Sequence, residues 1–175
     1  MPRYIDPDVP VGVGGASVFN IPPLRWLPWV APVLDTNAYA AGDALHIAPL
    51  LKVPGIVLPP NHQTTIVGMI VEDTTGTPQN IGLTAWIFDR PEVTLPALNA
   101  AWTLTAPDRD KLVACVSSGP YNTSTATGRS ETWSLNTRVR NRYGDPDGAL
   151  WLLLQTLGAP TYTAASLRLQ FVVQD

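Results

Sequence analysis

A chain of 175 residues fits one domain able to bury roughly 70% of its unfolded surface, so no staple is needed to hold its core. Charged residues make up only 14% of it beside 45% hydrophobic content, a balance that predicts a surface partly covered by neighbours, because interface cores are depleted in charge. The formal net charge of −3 excludes a general nucleic-acid binder, which needs a basic face to neutralise phosphates.

Residues 1–32 carry Pro2, Pro7, Pro10, Pro22, Pro23, Pro28 and Pro32 with Gly12, Gly14 and Gly15. So many fixed φ angles and missing N–H donors rule out a regular helix or a central strand. The segment is expected to be an extended N-terminal arm, followed by one domain over 33–175. Phe19, Ile21, Leu24, Trp26, Leu27, Trp29 and Val30 make it too apolar for a solvated tail. It must dock, either across the chain's own sheet or on a neighbouring subunit or shell. The start lacks the basic and apolar regions of a signal peptide, and no apolar run reaches the length of a membrane span. The chain is therefore expected to remain in the cytoplasm where it is made, and the Asn122-Thr-Ser124 sequon to carry no glycan.

Beyond the arm, strand-like runs recur at Ala44–Ala48, Thr64–Val71, Ile81–Phe88, Trp102–Thr105, Leu112–Ser117, Thr132–Leu135, Ala149–Thr156 and Leu167–Val173, between Pro, Gly, Asn and Asp breaks. In the third, Ile81, Leu83, Ala85 and Ile87 share one face, and Gly82, Thr84, Trp86 and Phe88 the other. Apolar character on both faces predicts a central strand. Leu150–Leu154 reads as a helix turn or a buried strand, and its shortness between Gly148 and Gly158 favours the strand. In the last run Leu167, Leu169, Phe171 and Val173 alternate with Arg168, Gln170 and Gln174, the period of a strand with one wet face. The best helix candidate, Pro96–Ala101, is too short to form on propensity alone. The expected architecture is all-β, a jelly-roll-like antiparallel β-sandwich with a Pro-rich extended arm.

Chemistry-bearing residues are sparse. His46 and His62 have no His, Cys or carboxylate at zinc-site spacing. No Gly-x-Ser-x-Gly elbow is present, and Gly12-Val-Gly-Gly-Ala-Ser17 lacks the Lys of a phosphate-binding loop. No catalytic, cofactor-binding or metal-ligating residue is assigned, and the reading is of a non-enzyme. Asp6-Pro-Asp8 and Asp145-Pro-Asp147-Gly148 pair carboxylates that suit a hard cation or a turn; the missing further oxygen ligands favour the turn. Cys115, inside Leu112-Val-Ala-Cys-Val116, reads as a small core residue. Arg138, Arg140 and Arg142 stand two apart, so an extended segment would present them as one basic stripe, facing an acidic surface or forming a solvated edge. Among six tryptophans, Trp86 and Trp151 read as core, and Trp26 and Trp29 as interface anchors.

Leu34-Asp-Thr-Asn-Ala-Tyr-Ala-Ala-Gly-Asp43, Phe88-Asp-Arg-Pro91, Leu98-Asn-Ala-Ala-Trp-Thr-Leu104, Asp108-Arg-Asp-Lys-Leu-Val113 and the ending Pro160-Thr-Tyr-Thr-Ala-Ala-Ser166 through Gln174-Asp175 together resemble the decoration, or cement, proteins of tailed-bacteriophage heads. The likeness runs from about Leu34 to Asp175 and leaves the arm unmatched. It implies a non-enzymatic structural virion protein on the capsid exterior, bound to the major capsid protein and to itself as a homotrimer, with no cofactor and no nucleic-acid or membrane partner. Phe19, Trp26, Trp29, Arg138, Arg140 and Arg142 are the interface residues expected, read from the apolar arm and the basic stripe and not from the resemblance. The alternative is a glycan-binding jelly-roll module of a phage tail or fibre, since jelly rolls serve both purposes.

Overall fold

The structure, a computed structural model, describes residues 23–45, 49–57, 62–75, 79–97, 99–119 and 127–175. Among them run β1 (Leu24–Trp26), β2 (Leu51–Val53), β3 (Gln63–Asp73), β4 (Leu83–Phe88), β5 (Leu112–Ser117), β6 (Gly128–Arg140), β7 (Leu150–Thr156) and β8 (Leu167–Gln174), with one 3-10 helix at Ala106–Lys111. They form two four-stranded antiparallel sheets, β1-β8-β3-β6 and β2-β7-β4-β5. The pairs β1·β8, β2·β7, β3·β6 and β4·β5 nest as in one long hairpin and alternate between the sheets. This is the jelly-roll order, two Greek keys rolled into a sandwich.

Period-2 alternation builds the core between the sheets. Leu167, Leu169, Phe171 and Val173 of β8 meet Leu83, Ala85 and Ile87 of β4 and Leu150, Leu152 and Leu154 of β7 in one buried cluster. Each of the larger of these side chains, the leucines, Ile87, Phe171 and Val173, stabilises the fold by about 1.5–3 kcal/mol. The other faces of β4 and β7 are not free: Phe88, Trp151 and Leu153 form a second cluster roofed by Trp102, with Trp86 packed against it. The Trp86 and Trp102 rings lie 5.0 Å apart, edge to face, and the Trp102 indole N–H donates to the Thr94 carbonyl at 3.1 Å. Burial on both sides is why these two strands read as apolar on both faces.

Several expectations are corrected. Trp102–Thr105 is not a strand but the irregular roof of that second cluster, because its Trp is better buried over the sheet than paired in it. Of Ala44–Ala48, Ala44 makes an isolated bridge to Gln155 and Leu45 a backbone bond to Leu154; His46 to Ala48 lie outside the described residues. The segment read as too short for a helix, Pro96–Ala101, agrees with that reading where it is described: Asn99 has φ 51, the left-handed region closed to a right-handed helix, Leu98 lies outside the described residues, and the 3-10 helix begins at Ala106. Cys115 is exposed rather than core, since β5 is an edge strand and alternation turns Val116 inward and Cys115 outward.

Of the segment read as an arm, residues 1–22 lie outside the described residues, as do Asp6, Asp8 and Gly12–Ser17. Residues 23–32 lie across the chain's own sheet: β1 pairs with β8, Leu27 is buried, and Val30 bridges Leu169. β1 occupies an edge, the position open to a Pro-flanked strand.

Candidate interaction surface

One face of the β1-β8-β3-β6 sheet is turned away from the core, and strand register maps it row by row. Leu24, Gln174, Thr65 and Arg138 form one row, with Gln63 and Arg140 beyond it. Trp26, Val172, Gly68 and Trp133 form the next. Farther along, Gln170, Ile70 and Glu131 are followed by Arg168, Glu72 and Arg129.

The middle row is aromatic. Trp26 is 51% exposed, Trp133 42% and the adjacent Leu24 49%. Their placement depends on a register shift between Ile66 and Gly68, which lets Trp133 lie over Gly68: a Cβ there would sit 2.8 Å from Trp133 Cε3. On the opposite β6 side the same irregularity takes up residues 134–136, with Ser134 at φ 63. A kinked, charged edge of this kind discourages strand addition.

The charged row beyond is neutral once Glu131 of the neighbouring row is included. Arg129 reaches Glu72 at 2.7 Å and Glu131 at 2.7 Å, and Arg168 reaches Glu72 at 2.5 Å. The Trp133 indole N–H and the Arg129 guanidinium both bond Glu131 and hold its carboxyl below the ordinary carboxylate value. Trp29 joins this end of the face, its ring 4.5 Å from the Arg168 guanidinium carbon, a cation–π arrangement.

At the opposite end is an open depression of about 390 Å3 lined by Gln63, Thr65, Arg138, Gln174 and Asp175. The Asp175 carboxylate is already engaged by Arg25 at 2.9 Å and by the Thr64 hydroxyl at 2.8 Å. The Arg25 bond, followed by that from Thr64, keeps its carboxyl below the ordinary value against the opposing pull of burial. Arg25 also donates to the Gly55 and Ile56 carbonyls and so ties β1 to the turn after β2.

Trp26, Trp29, Arg138 and Arg140 are thus brought to one sheet face. Arg142 is not: β6 ends at Arg140, and Arg142 turns to the other sheet, where its Nε meets Asp89 at 2.8 Å and its Nη2 bonds the Asp110 and Leu112 carbonyls. Phe19 lies outside the described residues. Nothing local in the sequence marks Trp133 as an interface residue beyond its place two apart from Glu131 and Arg129, the spacing that puts it on the wet face.

The Asp145-Pro-Asp147-Gly148 carboxylates form a turn. Asp147 and Ala149 N–H groups donate to Asp145 Oδ1, and Gly148 takes φ 61. Their cation is Lys52, 3.5 Å from Asp145 and 2.8 Å from Asp147. Among the described residues no group of three or more His, Cys, Asp or Glu side chains is placed to hold a metal ion. A smaller hollow of about 200 Å3 beside Trp102, walled by Thr94, Leu95, Pro96 and Thr105, offers no ionisable group.

No protein-family model matches this sequence, and no curated protein matches it.

Proposed function

We propose that this protein is a structural virion component, a decoration or cement protein that docks on the outer surface of a phage head and stabilises the lattice of the major capsid protein, acting as a homotrimer. The supporting observation is the exposed Leu24–Trp26–Trp133 band on a sheet face whose apolar neighbours Val172 and Ile70 are fully buried. Exposed tryptophans grouped on a rigid sheet are the side chains that dominate binding energy at protein interfaces. The sequence resemblance supplies the partner, and the jelly roll is a fold that capsid proteins use. Repetition over a symmetric lattice lets one modest contact give high occupancy, and trimerisation multiplies it.

The test is decoration itself. Purified protein is added to heads that lack it and the shells are imaged by electron microscopy. Symmetric added density is expected, with the β1-β8-β3-β6 face against the shell. Bare shells beside soluble protein would overturn the reading.

A glycan-binding module of a tail or fibre is the second reading, favoured by the polar depression next to the tryptophans. Two features weigh against it. No tryptophan lines the depression, and its one carboxylate is committed to Arg25 and Thr64.

A further inference from the structure

Arg138 and Arg140 differ from every other cation on the exposed sheet face. Arg129 and Arg168 are neutralised by Glu72 and Glu131, and Arg25, on the other side of β1, by Asp175. No carboxylate among the described residues forms an ion pair with Arg138 or Arg140. In a chain of net charge −3, two guanidinium groups at one end of an exposed aromatic band thus have no counter-charge among the described residues. Arg138 lines the depression and shares a row with Leu24, and Arg140 follows it two residues along β6.

We infer that this end of the face receives an acidic side chain of a protein partner, whose carboxylate pairs with Arg138 while Leu24, Trp26 and Trp133 cover the apolar residues beside it. The guanidinium fork matches a carboxylate in two parallel hydrogen bonds, and the Thr65 hydroxyl and the Gln63 amide offer further donors in the same hollow. The Asp175 side chain does not oppose the incoming charge, because Arg25 neutralises it. A peptide fits better than an acidic sugar. Trp26 and Trp133 meet at an interplanar angle of 71°, so together they offer no flat platform for a pyranose ring but a ridged apolar surface for side chains. The inference rests on the docking function proposed above and gives that partner its chemistry.

The test uses the intrinsic tryptophan emission of the full chain, titrated with a capped hexapeptide of alternating glutamate and leucine, with the matching glutamine–leucine peptide, and with sialyllactose. A saturable change is expected with the acidic peptide alone, weakened by salt because the pairs are exposed. Replacing both arginines, Arg138→Gln with Arg140→Gln, should weaken it about tenfold, the modest loss expected of exposed ion pairs. Both side chains are exposed, and an unchanged melting temperature checks that the variant is folded. Equal response to the glutamine peptide, response to sialyllactose alone, or no response to any probe would each overturn the inference. So would an emission change that follows protein concentration without any probe, which would assign the face to a second copy. Heads lacking the protein give an independent arm. If the double variant decorates them as fully as the parent does, the acid receptor is disproved and the docking function stands. If the parent fails to decorate but keeps its peptide response, the docking function alone is lost.

Discussion

The rings of Trp26 and Trp133 meet edge to face with centroids 5.7 Å apart, although β1 and β6 are the two outer strands of a four-stranded sheet. Three strand spacings of about 4.8 Å separate their backbones. The contact closes because the two positions between them in the same row are Val172, which is short, and Gly68, which has no side chain. A glycine in the sheet interior, costly as a strand residue, is the floor that lets an exposed aromatic band form.

Gly68→Ala tests that relationship. The added Cβ would lie 2.8 Å from Cε3 and 2.9 Å from Cζ3 of Trp133, so the indole must lift away. Overpacking of this kind costs about 1–3 kcal/mol, while the lost freedom of the unfolded chain returns only about 0.4–1 kcal/mol. A net loss of about 1 kcal/mol in urea unfolding is expected, together with fuller exposure of Trp133 and, on the docking function proposed above, weaker head decoration. Unchanged stability and emission would show that the pair does not depend on the glycine.

The sequence announces strands wherever one face is buried and silences them where it is not. β7 and β8 are legible because Leu150–Leu154 is apolar throughout and Leu167–Val173 alternates. β6 shows itself only at Thr132–Leu135, since Arg129, Glu131, Arg138 and Arg140 face solvent and its inward residues include Ser130 and Thr132. β1 and β2 have three residues each, too few for a period, and β1 is hidden between Pro23 and Pro28. Trp102 carries strand propensity yet is spent as a roof. The same limit governs the surface: Trp26 and Trp29 are conspicuous among prolines, but the row joining Trp26 to Gly68 and Trp133 exists only through long-range register. Arg142 follows the two-residue spacing of Arg138 and Arg140 and departs from it in space, because the strand stops and Asp89 draws it to the other sheet.

Leu27→Ala measures how firmly residues 23–32 belong to the sandwich. Leu27 is buried in the main core cluster and its N–H donates to the Phe171 carbonyl at 3.0 Å. Truncating a buried leucine costs about 2–5 kcal/mol, so a drop of about 3 kcal/mol in chemical denaturation is expected. It follows that truncation through residue 30 removes β1 and a core residue together, and any loss of capsid binding in such a variant has to be read against its stability. A change below about 0.5 kcal/mol would mean that the segment merely rests on the sheet.

Acid stability should report on Asp108. Burial pushes its carboxyl up, but the Thr105 hydroxyl at 2.5 Å, the Lys111 ammonium at 2.9 Å and the Thr94 N–H at 3.2 Å outweigh that and leave its pKa below the ordinary 3.8. Asp175 is shifted the same way by Arg25 and Thr64. With a folded pKa below the unfolded one, the unfolded chain binds more protons in acid. The contribution is fully present above about pH 4 and is lost as pH falls through the folded value. Urea midpoints measured from pH 7 to pH 3 should therefore stay level and then decline. Asp108→Asn is expected to lower stability at neutral pH by about 2 kcal/mol, the worth of hydrogen bonds to a charged group, and to flatten the acid limb; an undiminished limb would assign the effect elsewhere.

Cys115 stands on the outer face of edge strand β5, opposite Trp86 in the register. Its neighbours still desolvate the sulfur enough to raise the thiol pKa above the ordinary 9.0, so the group is reachable but almost wholly protonated at neutral pH. A disulfide-exchange reagent should label the native protein without denaturant, slowly at pH 7 and about tenfold faster with each pH unit up to the pKa, because the thiolate is the nucleophile. Cys115→Ser should change stability by less than about 0.5 kcal/mol, as befits an exposed position away from any special contact. Labelling that begins only in denaturant, or a serine variant that costs several times as much, would return the residue to the core and put the inward turn of Val116 in error.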